Sequence, residues 1–401
     1  MAQPAEQSGW PDWWLRRSLL SWALRPLAGL FALLSAGRRS LYRSGVLRAE
    51  RVGVPVVVVG NLTVGGAGKT PLIAELARGL LQAGWRPGIV SRGYGRRSAD
   101  DAPLRVDAQS DPAECGDEPV LLARLTGCPV MVGRRRAQAA LALRAAWPDV
   151  DVILSDDGLQ HLALARDVEL VVVDQRLWGN GWLLPAGPLR ESPGRRRDAT
   201  LGPEEVLQQV SGGGLHFALL RSLGDFTHLV SGQTLSAAQF VQRFGAKPLG
   251  AVAGIGHPGQ FFAMLRGLGL SVQARALGDH QPLSAPRAGL CPARPPWGMR
   301  PAAPSCPAAA WTEPNPSGLQ AARRTRKLGA ARRFLESADA LAGLPPDGPI
   351  LLTEKDAIKS AHLPPVLRER LWVVGLRLQL PADLLPWLHQ QLEKARGLPT
   401  S

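Results

Sequence analysis

The chain reads as an α/β protein: a parallel sheet flanked by helices, joined to a smaller C-terminal α/β part and preceded by an amphipathic helix. Three observations predict this. Short β-branched runs alternate with helix-period segments from Pro55 to about Asp174. A glycine-rich turn stands between the first of these runs and the first helix. The same strand–turn–helix order returns, more loosely, after Lys247. Taking roughly 150 residues per domain, the 401 residues divide into an N-terminal helix region at 1–45, a core at 46–230 and a C-terminal part at 231–401.

The elements follow in order. Val56–Val59 is β-branched throughout, as a strand buried on both faces requires. Pro71 to Gly84 has Leu72, Leu76 and Leu80 on one face and a glycine to end it, which predicts a helix. "PGIVSRGYGR" gives a strand with a glycine-rich exit, "DEPVLLARLTG" a helix, "CPVMV" a strand and "RRRAQAALALRAAW" a helix. "DVDVILSDDG" and "DVELVVVD" are two further buried strands. In the second half, "KPLGAVAGIG" runs into "HPGQFFAMLRGLGL" as strand, turn and helix. "GPILLTEKDAIK" and "LWVVGLRL" are strands, and "PADLLPWLHQQLEKARG" is a closing helix. A Pro/Ala/Arg-rich stretch at about 285–336 has no period able to support a core element and is expected to be a disordered insert or a locally corrupted reading frame.

Composition narrows the function. Hydrophobic residues make up 45% of the chain, enough for a sizeable core. The formal charge is +14, and the basic residues are overwhelmingly arginine. That suits a polyanion (nucleic acid, anionic lipid or phosphorylated substrate) or reflects a compositional bias toward arginine. Zinc-finger spacing and RNP-like motifs are missing, so nucleic acid is not the expected partner. The four cysteines show no C-x-x-C spacing, which argues against a disulfide framework and a redox or metal motif and suggests a reducing compartment.

At the N-terminus, "WPDWWLRRSLLSWALRPLAGLFALLSAGRRSLYRSG" sets Trp, Leu and Phe among arginines. Only twelve residues separate Arg25 from Arg38, short of the roughly 20 needed to span hydrocarbon. A helix lying in the headgroup plane fits this composition; an amphipathic helix buried against the domain is the alternative.

The chemistry centres on "GNLTVGGAGKTPLIAEL", residues 60–76. Gly65, Gly66 and Gly68 allow backbone N–H groups to turn onto phosphate oxygens. Lys69 places a charge near the β- and γ-phosphates, Thr70 offers a hydroxyl to Mg²⁺, and the helix N-terminus adds its dipole. The loop is thus Thr63, Val64, Gly65, Gly66, Ala67, Gly68, Lys69 and Thr70, with Thr63 where G-x-x-x-x-G-K-[ST] has its first glycine. Asp156 and Asp157 end an apolar strand, where carboxylates can hold Mg²⁺ or simply form a turn.

These stretches, with "SRGYGR", "GDEPVLLA", "SDDGLQH", "GNGWLLPAGPLRE", "GIGHPGQFF" and "LLTEKDAIK" in that order, resemble the tetraacyldisaccharide 4'-kinase family, the lipid A 4'-kinases of Gram-negative bacteria. The family's phosphate loop also carries a hydroxyl residue at the first glycine position, so Thr63 agrees with it. The resemblance covers about residues 10–280 and 337–395 and implies a P-loop fold. It further implies ATP and Mg²⁺ as cofactors, and phosphoryl transfer to the 4'-hydroxyl of a lipid-linked glucosamine disaccharide. The setting implied is the cytoplasmic face of the inner membrane, reached through the N-terminal helix.

Carried over residue by residue, Asp117 of "GDEP" is the catalytic base, assisted by His280 of the Asp279-His280 pair, with Lys69 on the phosphates. Thr70, Asp156 and Asp157 lie on the metal side, and Glu118 and Glu191 in the metal or nucleotide shell. Arg92 is expected either on substrate or in an internal salt bridge, and His161 in a hydrogen-bonding scaffold. The sequence departs from the family just after His280, where the insert begins. Alternative readings are therefore a kinase relic disabled by that insert, or a non-catalytic nucleotide switch of the P-loop type.

Overall fold

The computed structural model describes residues 10–94, 102–278, 283, 341 and 344–397. The expectations for His280 and for the insert lie outside the described residues. The first sheet contains Val56–Gly60 (β1), Pro87–Ser91 (β2), Leu104–Val106 (β3), Val130–Val132 (β4), Val152–Asp156 (β5), Val168–Val172 (β6), Ala199–Gly202 (β7) and Leu215–Ala218 (β8). Their spatial order is β3-β4-β2-β5-β1-β6-β7-β8, parallel throughout except for β3 against β4. Every residue of β1 is buried between β5 and β6, which is why its sequence is unbroken valine up to the closing glycine. The chain leaves β1 for β2 on one side, whereas β6, β7 and β8 build outward on the other. That reversal opens a crevice at the carboxyl end of β1, the usual ligand position in such sheets.

The helix after β1 runs from Lys69 to Gln82, two residues earlier than its apolar period suggested, because Gly68 in a left-handed conformation (φ 81°) starts it. Leu72, Ile73, Leu76 and Leu80 face the sheet. Gly84, at φ 87°, follows the helix end.

A second sheet holds Leu220–His228 (β9), Thr234–Leu235 (β10), Leu249–Ala253 (β11), Val272–Ala276 (β12), Ile350–Thr353 (β13) and Leu371–Gln379 (β14), in the order β10-β9-β14-β13-β11-β12. Its parallel part is β12-β11-β13-β14, with β9 antiparallel on β14. It starts at Leu220, ahead of the boundary expected at 231. The closing helix, Leu384–Arg396, returns to the first sheet: Leu384, Leu388 and Leu392 join the same apolar cluster as Leu76 and Leu80. Gly79 makes room for it, since a Cβ there would lie 2.5 Å from Leu385. Trp85 Nε1 donates to His389 Nδ1 at 2.9 Å across the same contact.

The N-terminal region is three helices, Asp12–Leu15, Leu19–Ala23 and Arg25–Arg43, with Pro26 in the first turn of the longest. Of that longest helix only Ala28 is buried, and Leu27, Leu30, Leu33 and Leu34 are exposed. Among the described residues no helix is long and apolar enough to cross a membrane. Trp22 is exposed as well, but Trp10, Trp13 and Trp14 are buried or half-buried. Trp10 is 6% exposed and seated on the glycine-rich loop rather than beside the long helix.

Candidate active site

The loop after β1 is held from several sides. Buried Asn61 donates through Nδ2 to Gly65 O at 2.9 Å, and its Oδ1 accepts from Lys69 Nζ at 3.0 Å. Thr63 forms a β-bridge to Leu189, Val64 N donates to Pro188 O at 2.9 Å, and Arg190 N donates to Leu62 O at 2.7 Å. The "GNGWLLPAGPLRE" segment is thus the brace behind the loop. Gly65 (φ 95°) and Gly68 (φ 81°) occupy the left-handed region that favours glycine. Four successive carbonyls each accept from a side chain: Val64 from Trp10 Nε1 (2.9 Å), Gly65 from Asn61, Gly66 from Arg176 Nη2 (2.7 Å) and Ala67 from Arg221 Nη2 (2.8 Å). With its acceptors so engaged, the loop presents less negative potential to an incoming anion.

The carboxylates converge next to Lys69. Lys69 Nζ lies 3.3 Å from Asp157 Oδ1, and Arg190 Nη1 reaches both Asp157 oxygens at 3.2 and 3.0 Å. Burial alone would raise the Asp157 pKa, but Lys69 and Arg190 outweigh it and hold the carboxyl below the usual range. Asp157 also has φ 48°, an uncommon conformation for a residue other than glycine. Asp156 is fully buried; Ser91 Oγ donates to its Oδ2 at 2.9 Å, and its Oδ1 has no hydrogen-bond partner. Burial, followed by repulsion from Glu118, raises its pKa to about 6 in spite of Lys69. Behind it lies buried Arg136, which donates to Gly133 O at 2.6 Å and Asp156 O at 3.2 Å. Burial lowers that guanidinium to about 10, so it stays protonated at neutral pH. A cavity of about 680 Å³ is lined by Lys69, Glu118, Asp156, Asp157, Arg92 and Arg136, among others.

The second sheet supplies the facing wall. The "GIGHPG" turn leaves β11 and meets the phosphate loop backbone to backbone: a Cβ on Gly256 would collide with Gly66 O. Asp356, fully buried, fixes this turn, its Oδ2 accepting from Gly254 N at 2.8 Å and Thr353 Oγ1 at 2.7 Å. Asp356 lies on the short helix Glu354–Ile358: "GPILLTEKDAIK", expected as strand throughout, turns helical after Ile350–Thr353, with the Thr353 side chain capping the helix. That helix sends Lys355 Nζ to Glu118 Oε1 at 2.9 Å. Lys359 Nζ lies 3.7 Å from Asp117 Oδ2 and 3.4 Å from Asp356 Oδ1. Between the walls runs a second cleft with Gly66–Pro71 on one side and apolar Ile255, Phe261, Met264 and Leu376 on the other.

Thus Thr63–Thr70, Asp156, Asp157 and Glu118 are brought together. Asp117 is buried at the first turn of the helix Asp117–Thr126, beside Lys359, and Glu118 is its neighbour on the cavity wall. Glu191, expected in the metal or nucleotide shell, does not line this cavity. Its carboxylate accepts from Gln160 (3.0 Å), Arg195 (2.7 Å) and Arg39 (3.4 Å) and lines a separate cavity, because the brace turns away from the loop after Arg190. Arg92 is exposed on the active cavity and forms no ion pair among the described residues. His161 is half-buried; burial, then Arg136 and Arg92, lower its pKa to about 4, so it is neutral at physiological pH. Sequence reasoning missed Asn61, Arg136, Arg176, Arg221 and the seating of Trp10. Asn61 had a signal, standing first after the strand within the quoted loop. The arginines were indistinguishable from the many others.

A parallel sheet whose central strand passes through a Gly-Lys-Thr loop into a helix, with two aspartates on the adjacent strand tip, defines a P-loop nucleotide-binding protein. Comparison with known proteins narrows this. The model of the LpxK family, tetraacyldisaccharide-1-P 4'-kinase, matches residues 20–292, and the chain belongs to that family. The tetraacyldisaccharide 4'-kinase of Herminiimonas arsenicoxydans is 49% identical over 276 residues, 67% of this chain and 77% of that protein. The one from Azoarcus sp. (strain BH72) is 43% identical over 332 residues, 81% and 94% of the two chains. The crystal structure of "apo" form LpxK from Aquifex aeolicus in complex with ATP superposes with a TM-score of 0.65 at 24% identity. It covers 93% of this chain and all of that one, which shows a shared fold.

Proposed function

We propose that this chain transfers the γ-phosphoryl group of ATP to the 4'-hydroxyl of a tetraacyldisaccharide 1-phosphate, a step in making lipid A. The observation that carries this reading is the loop Thr63–Thr70, with Lys69 held between Asn61 and Asp157 beside a buried, unpartnered oxygen of Asp156. Lys69 would meet the β- and γ-phosphates once nucleotide displaces its present partners.

The residues also suit Mg²⁺. Among the described residues no three His, Cys, Asp or Glu side chains form a metal cage. Mg²⁺ with a nucleotide needs only one or two protein oxygens, however, the rest coming from phosphate and water. Asp156 Oδ1, Asp157 and the Thr70 hydroxyl provide hard oxygens at the right strand tip and helix start. When bound with ATP there, Mg²⁺ would offset the negative charge of the phosphates. In the transfer, the bond between the 4'-oxygen and γ-phosphorus forms, the β–γ bridging P–O bond breaks, and ADP leaves. The hydroxyl proton passes to the Asp117 carboxylate, assisted by His280. An aspartate is a weak base at neutral pH, so it orients the hydroxyl and takes the proton late.

The exposed Leu27, Leu30, Leu33 and Leu34, with Arg38, Arg39 and Arg43 on the same helix, support a peripheral seat on the cytoplasmic face of the inner membrane. The test is transfer of labelled γ-phosphate from Mg·ATP to tetraacyldisaccharide 1-phosphate in detergent micelles. Turnover by the wild type that Lys69→Ala abolishes is the expected result. A silent wild type that still binds ATP would overturn it in favour of an inactive relic.

A further inference from the structure

The four carbonyls of the phosphate loop are capped by donors of two origins. Asn61, Arg176 and Arg221 belong to the two sheets and their connections, whereas Trp10 belongs to the N-terminal segment that leads into the exposed helix. We propose that Trp10 is a positioning residue for the phosphate loop, so that the N-terminal segment sets nucleotide affinity as well as membrane seating. This rests on the kinase reading above.

Trp10 is 6% exposed, and its ring lies under the Arg176 guanidinium, 4.3 Å from ring centroid to Cζ. Arg176 in turn grips Asp174 at 2.6 Å and Gly66 O at 2.7 Å, so one indole supports two adjacent loop carbonyls, one directly and one through Arg176. Gly65, held at φ 95°, lies against this pair: a Cβ there would stand 3.5 Å from both Trp10 Nε1 and Arg176 Nη1, an ordinary contact distance. The segment that carries Trp10 is itself fastened. Trp14 Nε1 donates to Pro185 O at 3.1 Å, and Asn180 donates through Nδ2 to Trp13 O and through its backbone N to Trp14 O, both at 2.7 Å. Trp10 packs edge-on against Trp14. These anchors all lie on the "GNGWLLPAGPLRE" brace, which also pins Thr63 and Val64. Loop, brace and N-terminal segment therefore form one closed hydrogen-bonded circuit. Loosening the segment withdraws a donor from Val64 and the support beneath Arg176.

The test compares full-length wild type, Trp10→Phe, Trp10→Ala, Val230→Ala and Lys69→Ala. The readouts are Mg·ATP affinity by calorimetry, KM for each substrate, and hydrogen exchange of the amides in residues 60–70. Trp10→Phe keeps the ring under Arg176 and removes one hydrogen bond, so nucleotide affinity falls about fivefold. Trp10→Ala removes both supports and loses roughly a further tenfold. Loop amides exchange faster in both, while the lipid-substrate KM and partition onto vesicles stay at wild-type values. Val230, 53% exposed in the turn between β9 and β10, serves as the control whose change leaves nucleotide affinity intact. Unchanged nucleotide affinity in Trp10→Phe and Trp10→Ala would overturn the inference, whether or not the lipid-substrate KM rose to point to a sugar-contacting role. Phosphate transfer by Lys69→Ala separates the two levels: if it turns over as wild type does, the kinase reading fails first; if turnover is lost, only the role of Trp10 is in question.

Discussion

The two walls of the active site are built in opposite ways. On the first sheet, strand, loop and helix follow one another without a break from Val56 to Gln82, so the loop glycines, Lys69 and Thr70 are neighbours in the chain. On the second, the "GIGHPG" turn and the "TEKDAIK" helix belong to one wall although Gly254 and Asp356 are 102 residues apart. A contiguous wall carries its chemistry in its own letters and is damaged first in function. A wall closed by long-range hydrogen bonds is damaged first in stability or in its approach to the other.

The largest effect should come from removing the chemistry of the first wall. Lys69→Ala leaves Asn61 and Asp157 without their shared cation and is expected to lower turnover by about a thousandfold or more, as for other groups that stabilise transferring charge. The phosphate-transfer assay reads it directly. A loss below tenfold would mean that Lys69 does not meet the phosphates. Next is the contact between walls. Gly256→Ala puts a methyl group against Gly66 O, so the walls must part. We expect kcat/KM to fall roughly a hundredfold through misplacement of reacting groups while the melting temperature moves little. A fall in melting temperature with normal kcat/KM would mean that the close approach serves folding rather than catalysis.

The same contrast explains what the sequence disclosed. β1, β5 and β6 were legible because strands buried on both faces must be apolar throughout, and the helix at Lys69–Gln82 because its leucines recur on one face. β7, β9, β10 and β12 were not. Ala199–Gly202 carries a buried Thr200 that satisfies itself on Gly213 O, and most of Val272–Ala276 is exposed, so neither shows a clean hydrophobic period. The return of the last helix to the first sheet was hidden because apolar spacing names a buried face but not its partner. At the site, Asp156, Asp157, Lys69 and Glu118 were readable from their motifs. Glu191, carried over from the family resemblance, lines a different cavity from Arg190, and a motif does not say which side of the brace each of its side chains takes. Trp10 was read as a headgroup-plane residue since tryptophan beside arginine looks the same on a membrane and on a loop.

Within the second wall, Asp356→Ala isolates the long-range closure. It strips a buried acceptor from Gly254 N–H, the Thr353 hydroxyl and the Lys359 ammonium, and should cost about 2 kcal/mol of stability. Urea unfolding measures this. An unchanged midpoint would show that the "GIGHPG" turn holds itself.

The smallest effect sharpens the comparison through one histidine on each wall. His161, on the first, is lowered to about 4 by burial and then by Arg136 and Arg92; His257, on the second, is lowered by burial against the pull of Asp174. In the unfolded chain each takes up a proton near pH 6.5. Between that value and the lower folded one, the unfolded state binds more protons, so the neutral fold is favoured fully above about pH 6.5 and loses ground as pH falls. For His161 the loss extends down to about pH 4. Replacing it with glutamine should remove on the order of 1 kcal/mol of the stability lost between pH 7.5 and 5, after allowance for its partial exposure. His257→Gln should remove less, because after burial the strongest influence on its ring is Asp174, which favours the proton, whereas at His161 Arg136 and Arg92 outrank the pull of Asp157. Urea midpoints at the two pH values decide it: equal slopes for His161→Gln and wild type would mean that His161 is not held neutral by its arginine neighbours. A larger effect at His257 would mean that Arg176 and Arg221, which cap the phosphate loop, outweigh Asp174 at that ring.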